Sequence, residues 1–392
     1  LFAALSSWVG ATMPEGKLTE LIADGIIPGL GGVLMFVPQI AILFFLISLL
    51  EETGYMSRVV FLMDRIMRPF GLSGKSVVPL VSGTACAIPA IMAARNIENP
   101  KERLITMLVT PFTTCAARIP VYIIIISLVI PQTYVLGFIP LQGLLMTLMY
   151  VLGFLGALGA GWVLSKYIKM DRKSYFIIEM PTYKAPILKN VFLNMYEKVI
   201  SYIVGAGKII LALSVILWFL GSHGPSDTFG NAEEIITERH VNDNLTDEML
   251  ADEITGYQLE TSYIGMIGKT IEPVFKPLGY DWKMSIAVLT SFAAREVFVG
   301  NLATLYNMAS DGEDEGKMID RMANEKREDG SKMFNLATGV SLLLFYAFAM
   351  QCLSTVGVTK KETNSWKWTA FQMIFMTGFA YITAFIAYQV LK

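Results

Sequence analysis

Long apolar runs are the feature that most constrains what this chain can fold into. A helix needs about 20 mainly apolar residues to cross a bilayer. Six segments approach or exceed that length, at 33–50, 102–130, 140–166, 199–222, 333–358 and 366–390. Charged residues make up only 16% of the chain, whereas soluble domains carry about 25%. The sequence therefore predicts an all-α, polytopic membrane protein folded as a helical bundle.

Two further apolar segments, 75–95 and 284–309, are interrupted by polar or helix-breaking residues. Each follows an amphipathic stretch, at 55–70 and 262–278, and the two copies align without gaps at an offset of 208 residues. The identical pairs include Glu52 and Glu260, Thr53 and Thr261, Tyr55 and Tyr263, Pro69 and Pro277, Gly71 and Gly279, Lys75 and Lys283, and Ala85 and Ala293. The repetition predicts two related repeats, each with a broken or re-entrant helix. Two similar hairpins without a shared site are the alternative.

Loop charge decides the expected orientation. Lysine and arginine crowd residues 58–103 and the 166–198 loop, whereas the 223–259 loop is rich in aspartate and glutamate. Because cytoplasmic loops carry the excess of basic residues, the first two regions should be cytoplasmic and the third should face outward. The two repeats then begin on opposite sides, and inverted repeats with broken helices are typical of transporters. The 310–332 loop carries both signs, which leaves its side open.

Each of the three cysteines lies inside an apolar segment beside helix-disturbing or polar residues. These neighbours are Gly83 and Pro89 around Cys86, Pro111 and Pro120 around Cys115, and Ser354 near Cys352. Proline removes a backbone donor, and freed carbonyls are tolerated at membrane depth only where protein or a water-filled cavity receives them. Such breaks would offer oxygen atoms and single thiols to a passing cation. Packing between helices is the alternative, since buried cysteine is common.

Charged residues in or beside the apolar segments are further candidates. They are Arg118, Arg295, Glu296, Glu51 and Glu52. An intramembrane charge is costly and marks a functional site by default. Arg118 follows the second cysteine by three residues, near the same helical face, although it could equally snorkel to the surface. Glu51 could serve only as a solvated helix end.

Several function classes are excluded. Gly71–Ser76 looks like the end of a phosphate-binding loop, but that pattern needs a glycine at position 69, which is Pro69, and no strand is predicted before it. His223 and His240 lack the spacing of a zinc-protease motif. The basic residues never form the stripe of a nucleic-acid-binding protein. We therefore expect this chain to bind neither nucleotide nor nucleic acid and to have no enzymatic activity.

Several stretches together carry a resemblance to a known family. They are Leu50–Arg58, Gly71–Ser76, Ala85–Ile91, Cys115–Tyr122, Phe292–Val297 with Leu305–Tyr306, and Cys352–Thr355 with Lys360–Glu362. In this order they resemble the membrane region of ferrous iron transport protein B, the FeoB family, over nearly the whole chain from about residue 20. Two departures stand out. Ala87 occupies a place where the family usually has an asparagine, and Arg295 one where it usually has lysine.

The resemblance implies a multi-pass protein that imports Fe(II) across the bacterial inner membrane. Fe(II) accepts thiolate, carboxylate and carbonyl ligands. We therefore expect a metal pathway formed by Cys86, Cys115 and Cys352, assisted by Glu296, Glu51 and Glu52. The expected gating positions are Gly83, Pro89, Pro111, Arg118, Pro120, Arg295 and Ser354. The alternative is a gate-type carrier of another divalent metal or of nucleoside-like solutes.

The resemblance also implies partners and a division of the chain. We expect regulation by a GTP-binding domain, covalently linked or separate, a small FeoA-like partner protein, and surrounding lipid; homo-oligomerisation stays open. Because the chain begins at Leu1 rather than Met, we expect it to be part of a longer protein. The expected sections are an outer amphipathic lead-in (1–32), a first gate repeat with the spans after it (33–198), a second, inverted gate repeat with an acidic outer loop (199–309), a charged loop (310–332) and a C-terminal helix pair (333–392).

Overall fold

The computed structural model describes most of the chain. The described residues are 5, 8–10, 12–14, 16–135, 139–168, 183–225, 231–239, 250, 254, 256–258, 260–292, 295, 298, 302, 332–350 and 352–392. Glu296, most of the predicted acidic loop, and all but the last residue of the predicted charged loop 310–332 lie outside them.

The described chain is built almost entirely of helices. Those of the first half are α1 (Lys17–Glu20), α2 (Ile27–Glu52), α3 (Tyr55–Met67), α4 (Val77–Gly83), α5 (Ala87–Ala93), α6 (Pro100–Val109), α7 (Ile119–Val129) and α8 (Leu141–Tyr167). Those of the second half are α9 (Leu188–Tyr202), α10 (Lys208–Ser222), α11 (Ala232–Arg239), α12 (Tyr263–Phe275), α13 (Trp282–Thr290), α14 (Leu336–Phe348), α15 (Leu353–Thr363) and α16 (Trp366–Leu391).

Short irregular elements connect these helices. Stretches of π-helix lead into α2 (Leu21–Ile26) and join α9 to α10 (Ile203–Gly207). Turns of 3-10 helix lie at Arg68–Phe70, Gly74–Ser76, Ala94–Asn96, Thr110–Phe112, Ala116–Arg118 and Lys276–Leu278. Two short strands, β1 (Tyr134–Val135) and β2 (Ile139–Pro140), pair antiparallel before α8. The prediction of an all-α fold is therefore confirmed.

Four described segments are long and apolar enough to cross a membrane. They are Pro100–Val129, Leu141–Tyr167, Leu336–Thr363 and Trp366–Leu391. The helix ending at Glu52 and the helix that follows it form a pair bent by 87°, which would make a fifth span if counted as one. Predicted spans 33–50 and 199–222 fall within α2 and within the joined α9 and α10. The chain is thus a polytopic membrane protein, as the apolar runs predict.

The predicted repeat is present in the local structure. Helices α3 and α12 each have 13 residues, and each runs into a 3-10 turn ended by a glycine in the left-handed region, Gly71 (φ 74°) and Gly279 (φ 85°). An N-cap residue follows two positions later, Ser73 in one copy and Asp281 in the other. Only glycine adopts this conformation readily, so the offset of 208 residues holds through helix, turn and cap. The inversion of the repeats rests on loop charge and stays a prediction.

The segment that looked like a phosphate-binding loop has a structural role. A helix and a 3-10 turn precede it, and Ser73 and Ser76 form a reciprocal capping box at its end. The buried Ser76 hydroxyl also bonds the Thr106 hydroxyl of α6 at 2.8 Å. These polar groups therefore tie the first repeat to α6.

Predicted spans 102–130 and 333–358 are broken rather than continuous. The first consists of α6 and α7, separated at residues 110–118, and the second contains α14 and the start of α15, separated at 349–352. The first repeat therefore includes two broken helices instead of the one that the sequence predicts, and the predicted C-terminal helix pair contains a further break. The cysteines lie at these breaks.

Candidate functional site

The first break separates α4 from α5, and Cys86 is the N-cap residue of α5 in an extended conformation (φ −156°, ψ 133°). The Ser82 carbonyl accepts the N–H groups of Ala85 and Cys86, each at 3.1 Å. The Val81 carbonyl accepts the Thr84 hydroxyl at 2.7 Å. Carbonyls just before the break are thus engaged within the protein. The half-buried Cys86 side chain is the soft donor at this break.

The second break ends at Cys115, which is also an N-cap residue with an extended main chain. The two breaks are joined, because the N–H of Ala116 donates to the carbonyl of Ala85 at 3.3 Å. Cys86 and Cys115 therefore each stand one residue from the same hydrogen bond. The fold brings together two cysteines that are separated by helices α5 and α6 in the sequence.

Glycines allow this close approach. A Cβ on Gly83 would lie 2.4 Å from the Thr113 hydroxyl oxygen and 3.1 Å from Thr110 Cγ2. A Cβ on Gly153 of α8 would lie 2.6 Å from the Thr114 hydroxyl oxygen. Small residues let helix backbones meet in membrane bundles. The position predicted for gating at Gly83 is thus a crossing point that has no room for a side chain.

The third break repeats this arrangement in the second half of the chain. Cys352 is the N-cap residue of α15 (φ −151°), and the N–H of Leu353 donates to the carbonyl of Phe292 at 3.1 Å. Phe292 lies just after α13, at the position equivalent to Thr84. Ser354 follows in the first turn and is only 2% exposed. Ala116 and Leu353, each the residue after a cysteine, therefore both donate to a carbonyl just beyond the end of another helix, α4 or α13.

The half-helices that begin at Cys86 and Cys352 are packed together. Helix α5 contacts α15, and Val358 of α15 packs against the same apolar cluster as Cys86, which includes Ile88 and Tyr202. The structure therefore joins a helix of the first repeat to a helix of the predicted C-terminal pair, each with a cysteine as its N-cap residue.

Two buried arginines lie at the breaks. Arg118 is fully buried and donates three hydrogen bonds to main-chain carbonyls. Arg295 is 5% exposed and donates from Nη2 to the carbonyl of Ala349 at 3.1 Å. Neither guanidinium group reaches the surface, so the snorkelling alternative for Arg118 does not apply.

The three prolines predicted as gating positions have different structural roles. Pro111 lies in the 3-10 turn before the second break, and its missing N–H leaves the Met107 carbonyl without its usual helical donor. Gln372 of α16 donates to that carbonyl at 3.0 Å. Pro120 and Pro89 instead lie in the first turns of α7 and α5, where no intrahelical donor is needed. Of the three, Pro111 is the one that disrupts a helix.

Glu51 and Glu52 lie at the 87° corner between α2 and α3, where Gly54 has a positive φ of 78°. Both residues line a cavity of about 750 Å³. Glu52 Oε1 accepts from the Asn190 side chain at 3.1 Å. We call this space the corner cavity.

The corner cavity combines both signs of charge. Lys75, Arg95 and Lys198 line it together with the two glutamates, and its wall also includes Pro89. Pro89 is one helical turn beyond Cys86, so the cavity extends to the half-helix that carries this thiol. The basic residues belong to the loops predicted to be cytoplasmic.

Arg95, which lines the corner cavity, also forms a charged contact outside its wall. Arg95 Nε donates to Glu362 Oε2 at 2.6 Å, and Arg95 Nη2 donates to Glu362 Oε1. The Glu362 side chain is 6% exposed. The hydrogen bond from Arg95 to this carboxylate raises the pKa of Arg95 above its ordinary value. This pair joins the 3-10 turn after α5 to the end of α15, and hence the first repeat to the predicted C-terminal helix pair.

The predicted metal ligands do not form a closed cage. Among the described residues, no three His, Cys, Asp or Glu side chains form a group that could hold a metal ion. The described candidates instead offer single donors at separate breaks. Such an arrangement suits an ion that is passed along rather than stored.

The sequence analysis assigned no site role to Gln372 or Glu362. Gln372 is 1% exposed and lies in the largely apolar run of α16, so a buried amide in a span was the available signal. Glu362 belongs to a stretch that carries the family resemblance, Lys360–Glu362, but its charged neighbours gave no sign that its side chain is buried. The pairing of each with a distant break is decided by packing.

These features define a polytopic α-helical membrane protein with two repeats of broken helices. Comparison with known families agrees. A sequence profile described as "Nucleoside recognition", named Gate, matches residues 33–129 and 203–366. A second profile, described as "Ferrous iron transport protein B C terminus", matches residues 146–198.

Curated relatives give the same result. The Fe(2+) transporter FeoB of Leptospira biflexa is 43% identical over 99% of this chain and 53% of its own length. That of Staphylococcus aureus (strain COL) is 37% identical over 95% of this chain and 49% of its own length. An "Fe(2+) transport protein A/Fe(2+) transporter FeoB fusion protein" of Porphyromonas gingivalis is 36% identical over 98% of this chain and 46% of its own length. No solved structure matches.

The chain belongs to the Gate family, and the curated relatives that it matches over nearly its whole length are Fe(2+) transporter FeoB proteins. The resemblance seen in the sequence is therefore confirmed. The apolar helices and the bacterial relatives make it a multi-pass protein of the bacterial inner membrane. The chain spans about half the length of the curated relatives it matches.

Proposed function

We propose that this chain forms the membrane pathway of a ferrous iron importer. Fe(II) is the transported substrate, and Cys86, Cys115 and Cys352 act as successive ligands along the route. The observation that carries the proposal is that every cysteine is an extended N-cap residue at a break, next to a main-chain hydrogen bond to another segment that follows a helix. The names of the relatives, Fe(2+) transporter FeoB, support the choice of metal.

The chemistry of the breaks fits a small ion better than an organic solute. Thiolate ligands select softer metals, and a transporter must release its ion, which favours weak and successive sites. Nucleoside recognition would call for several amide or carboxylate groups at each break. The donors at the described breaks are mainly Cys, Ser and Thr side chains and main-chain groups.

The corner cavity serves as the cytoplasmic end of the route. Glu51 and Glu52 provide hard carboxylate oxygens that accept a hydrated divalent ion, and the cavity wall reaches Pro89, beside the first break. Glu296 would assist from the second repeat. Gly83, Pro111, Arg118, Pro120, Arg295 and Ser354 position the breaks.

A GTP-binding domain, covalently linked or separate, regulates this pathway in the proposed scheme. The relatives are about twice as long as this chain, which leaves room for such a domain. A small FeoA-like protein is the second proposed partner, because one relative is named as an Fe(2+) transport protein A/FeoB fusion.

The test is metal uptake by the intact protein in proteoliposomes, with Cys86→Ser as the first variant. Serine keeps size and polarity but replaces a soft donor by a hard one. We expect Fe(II) uptake to fall about tenfold, since even indirect changes at metal sites cost about that much. Thermal stability should stay near that of the wild type. Transport at the wild-type rate in a well-folded Cys86→Ser protein would rule out the ligand role.

Cys86→Ala is the packing control. If Cys86 only fills space, alanine should cost about 1 kcal/mol through a small cavity, and uptake should fall only as far as the amount of folded protein does. Parallel assays with radiolabelled uridine test the alternative. Uridine uptake without Fe(II) uptake would replace the iron proposal by a nucleoside carrier.

A further inference from the structure

Arg118 holds three consecutive main-chain carbonyls at the end of the first half of a broken span. Its Nη2 donates to Pro111 O at 3.0 Å, and its Nη1 donates to Phe112 O at 3.3 Å and to Thr113 O at 3.1 Å. The side chain is fully buried. The guanidinium group therefore occupies a cluster of oxygen atoms that the break created.

Arg295 has the corresponding place in the second repeat. Its Nη2 bonds the carbonyl of Ala349, three residues before Cys352. Phe112, one of the carbonyl residues bound in the first repeat, is likewise three residues before Cys115. The two arginines come from different positions in their repeats, yet both reach the carbonyl end just before a cysteine. Two arginines at non-equivalent positions thus make the same kind of contact, with a carbonyl three residues before a cysteine. This indicates that they share a role.

The surroundings make this placement costly. The Phe112 ring meets those of Phe348, Phe375 and Phe379 at centroid distances of 6.0–6.1 Å, so the second break is bordered by aromatic rings. The ion pairs found among the described residues do not include Arg118. Burying a cation in apolar surroundings is expensive. A neutral donor such as an amide would satisfy the carbonyls at a lower desolvation cost, as Gln372 does nearby.

The positive charge of Arg118 must therefore have a role that a neutral hydrogen-bond donor could not fill. Carbonyl groups at broken helix ends carry partial negative charge, and such groups coordinate cations in channels and transporters. Oxygen-only sites suit hard ions such as Mg²⁺, Ca²⁺ and Mn²⁺, whereas thiolates favour softer metals. An empty carbonyl cluster beside Cys115 would compete with the thiol for the wrong metal.

We propose that Arg118 and Arg295 are specificity residues that place a permanent cation on the carbonyls before the two breaks, three carbonyls for Arg118 and that of Ala349 for Arg295. The thiols are then the donors left for a passing metal, and hard divalent ions lose their preferred ligands. Arginine suits this task, because it stays charged and its planar fork spans several acceptors. The inference rests on the proposed metal transport and adds its selectivity.

The experiment compares Mn²⁺ and Fe²⁺ uptake by the intact protein in proteoliposomes, supplied together under anaerobic conditions. Arg118→Met and Arg295→Met remove the cation and keep an unbranched side chain. Arg103→Met is the matched control, since Arg103 is exposed on α6. We expect the Mn²⁺ to Fe²⁺ ratio to rise about tenfold in the first two variants, the effect of one charged hydrogen-bonded contact. Arg118→Lys should stay closer to the wild type.

The ratio separates selectivity from structure, because it does not depend on how much protein folds. An equal loss of both metals in the two methionine variants, complete loss included, is the result of a merely structural role and would overturn the proposal. So would an unchanged ratio at wild-type rates. Absence of Fe²⁺ uptake in the wild type is a different result, which would refute the proposed function itself.

Discussion

Single side chains repair the hydrogen bonds that the helix breaks leave open. Pro111 cannot donate to Met107, and Gln372 Nε2 supplies that bond and a second one, to the Leu108 carbonyl at 2.9 Å. The helix α16 that carries Gln372 is far away in sequence. In the hydrocarbon core no water is present to donate a hydrogen bond to a free carbonyl. A protein donor such as Gln372 is therefore required wherever a span is interrupted.

Replacement of Gln372 by leucine tests this repair. Leucine has a similar volume but no donor, so two buried carbonyls would lose a partner. We expect a loss of about 1–2 kcal/mol of stability, measured as a lower Tm of the detergent-solubilised protein. Gln389→Leu, at an exposed position on the same helix, should change Tm little. Equal Tm values for both variants would show that other groups satisfy the carbonyls.

A helix of the first repeat and a helix of the predicted C-terminal pair are tied together at the end opposite their cysteines. Helices α5 and α15 begin at Cys86 and Cys352, and the pair of Arg95 and Glu362 joins the chain just after one to the end of the other. Any motion that separates the two half-helices must break this contact. The asymmetry of the pair matters, because the Glu362 side chain is 6% exposed and that of Arg95 is 50% exposed.

This difference in exposure predicts which substitution of the pair destabilises the protein more. Arg95→Gln leaves a buried carboxylate without its cation, whereas Glu362→Gln leaves an arginine that water can reach. We expect Arg95→Gln to cost about 1–3 kcal/mol and Glu362→Gln to cost less. The double variant should recover part of the loss, which the thermodynamic cycle of Tm values would show. A larger effect of Glu362→Gln would contradict the assignment of Glu362 as the buried partner.

Across the whole molecule, orientation follows from loop charge rather than from any contact. The broken helices and the repeat give two similar halves, and the positive-inside rule decides which side each one begins on. The corner cavity, with Lys75, Arg95 and Lys198 in its wall, then opens towards the cytoplasm. The outer loop that completes this topology lies largely outside the described residues.

Cysteine labelling tests the orientation. In a background with the three native cysteines replaced by alanine, Asn190→Cys should react with an impermeant maleimide only from the cytoplasmic side. Asn244→Cys, in the acidic loop outside the described residues, should react only from outside. Labelling of both positions from one face would show the predicted topology to be wrong, and with it the inversion of the repeats.

The sequence by itself determined the spans, the repeat and the family. Hydropathy adds up locally along a run such as 140–166, and a left-handed glycine such as Gly71 is required by local geometry, so both can be read without knowing the neighbours. The same holds for the position of Cys86 near a break. These are properties of consecutive residues, and they hold in any packing.

The tertiary structure alone decided where two of the spans break and what fills the breaks. Nothing in 349–352 breaks a helix by itself, whereas the bonds from Leu353 to Phe292 and from Arg295 to Ala349 hold that break in place. Arg118 was equally compatible with the surface until its carbonyl partners were known. The physical reason is that a freed carbonyl at membrane depth must find a donor, and that donor comes from whichever chain segment packs beside it.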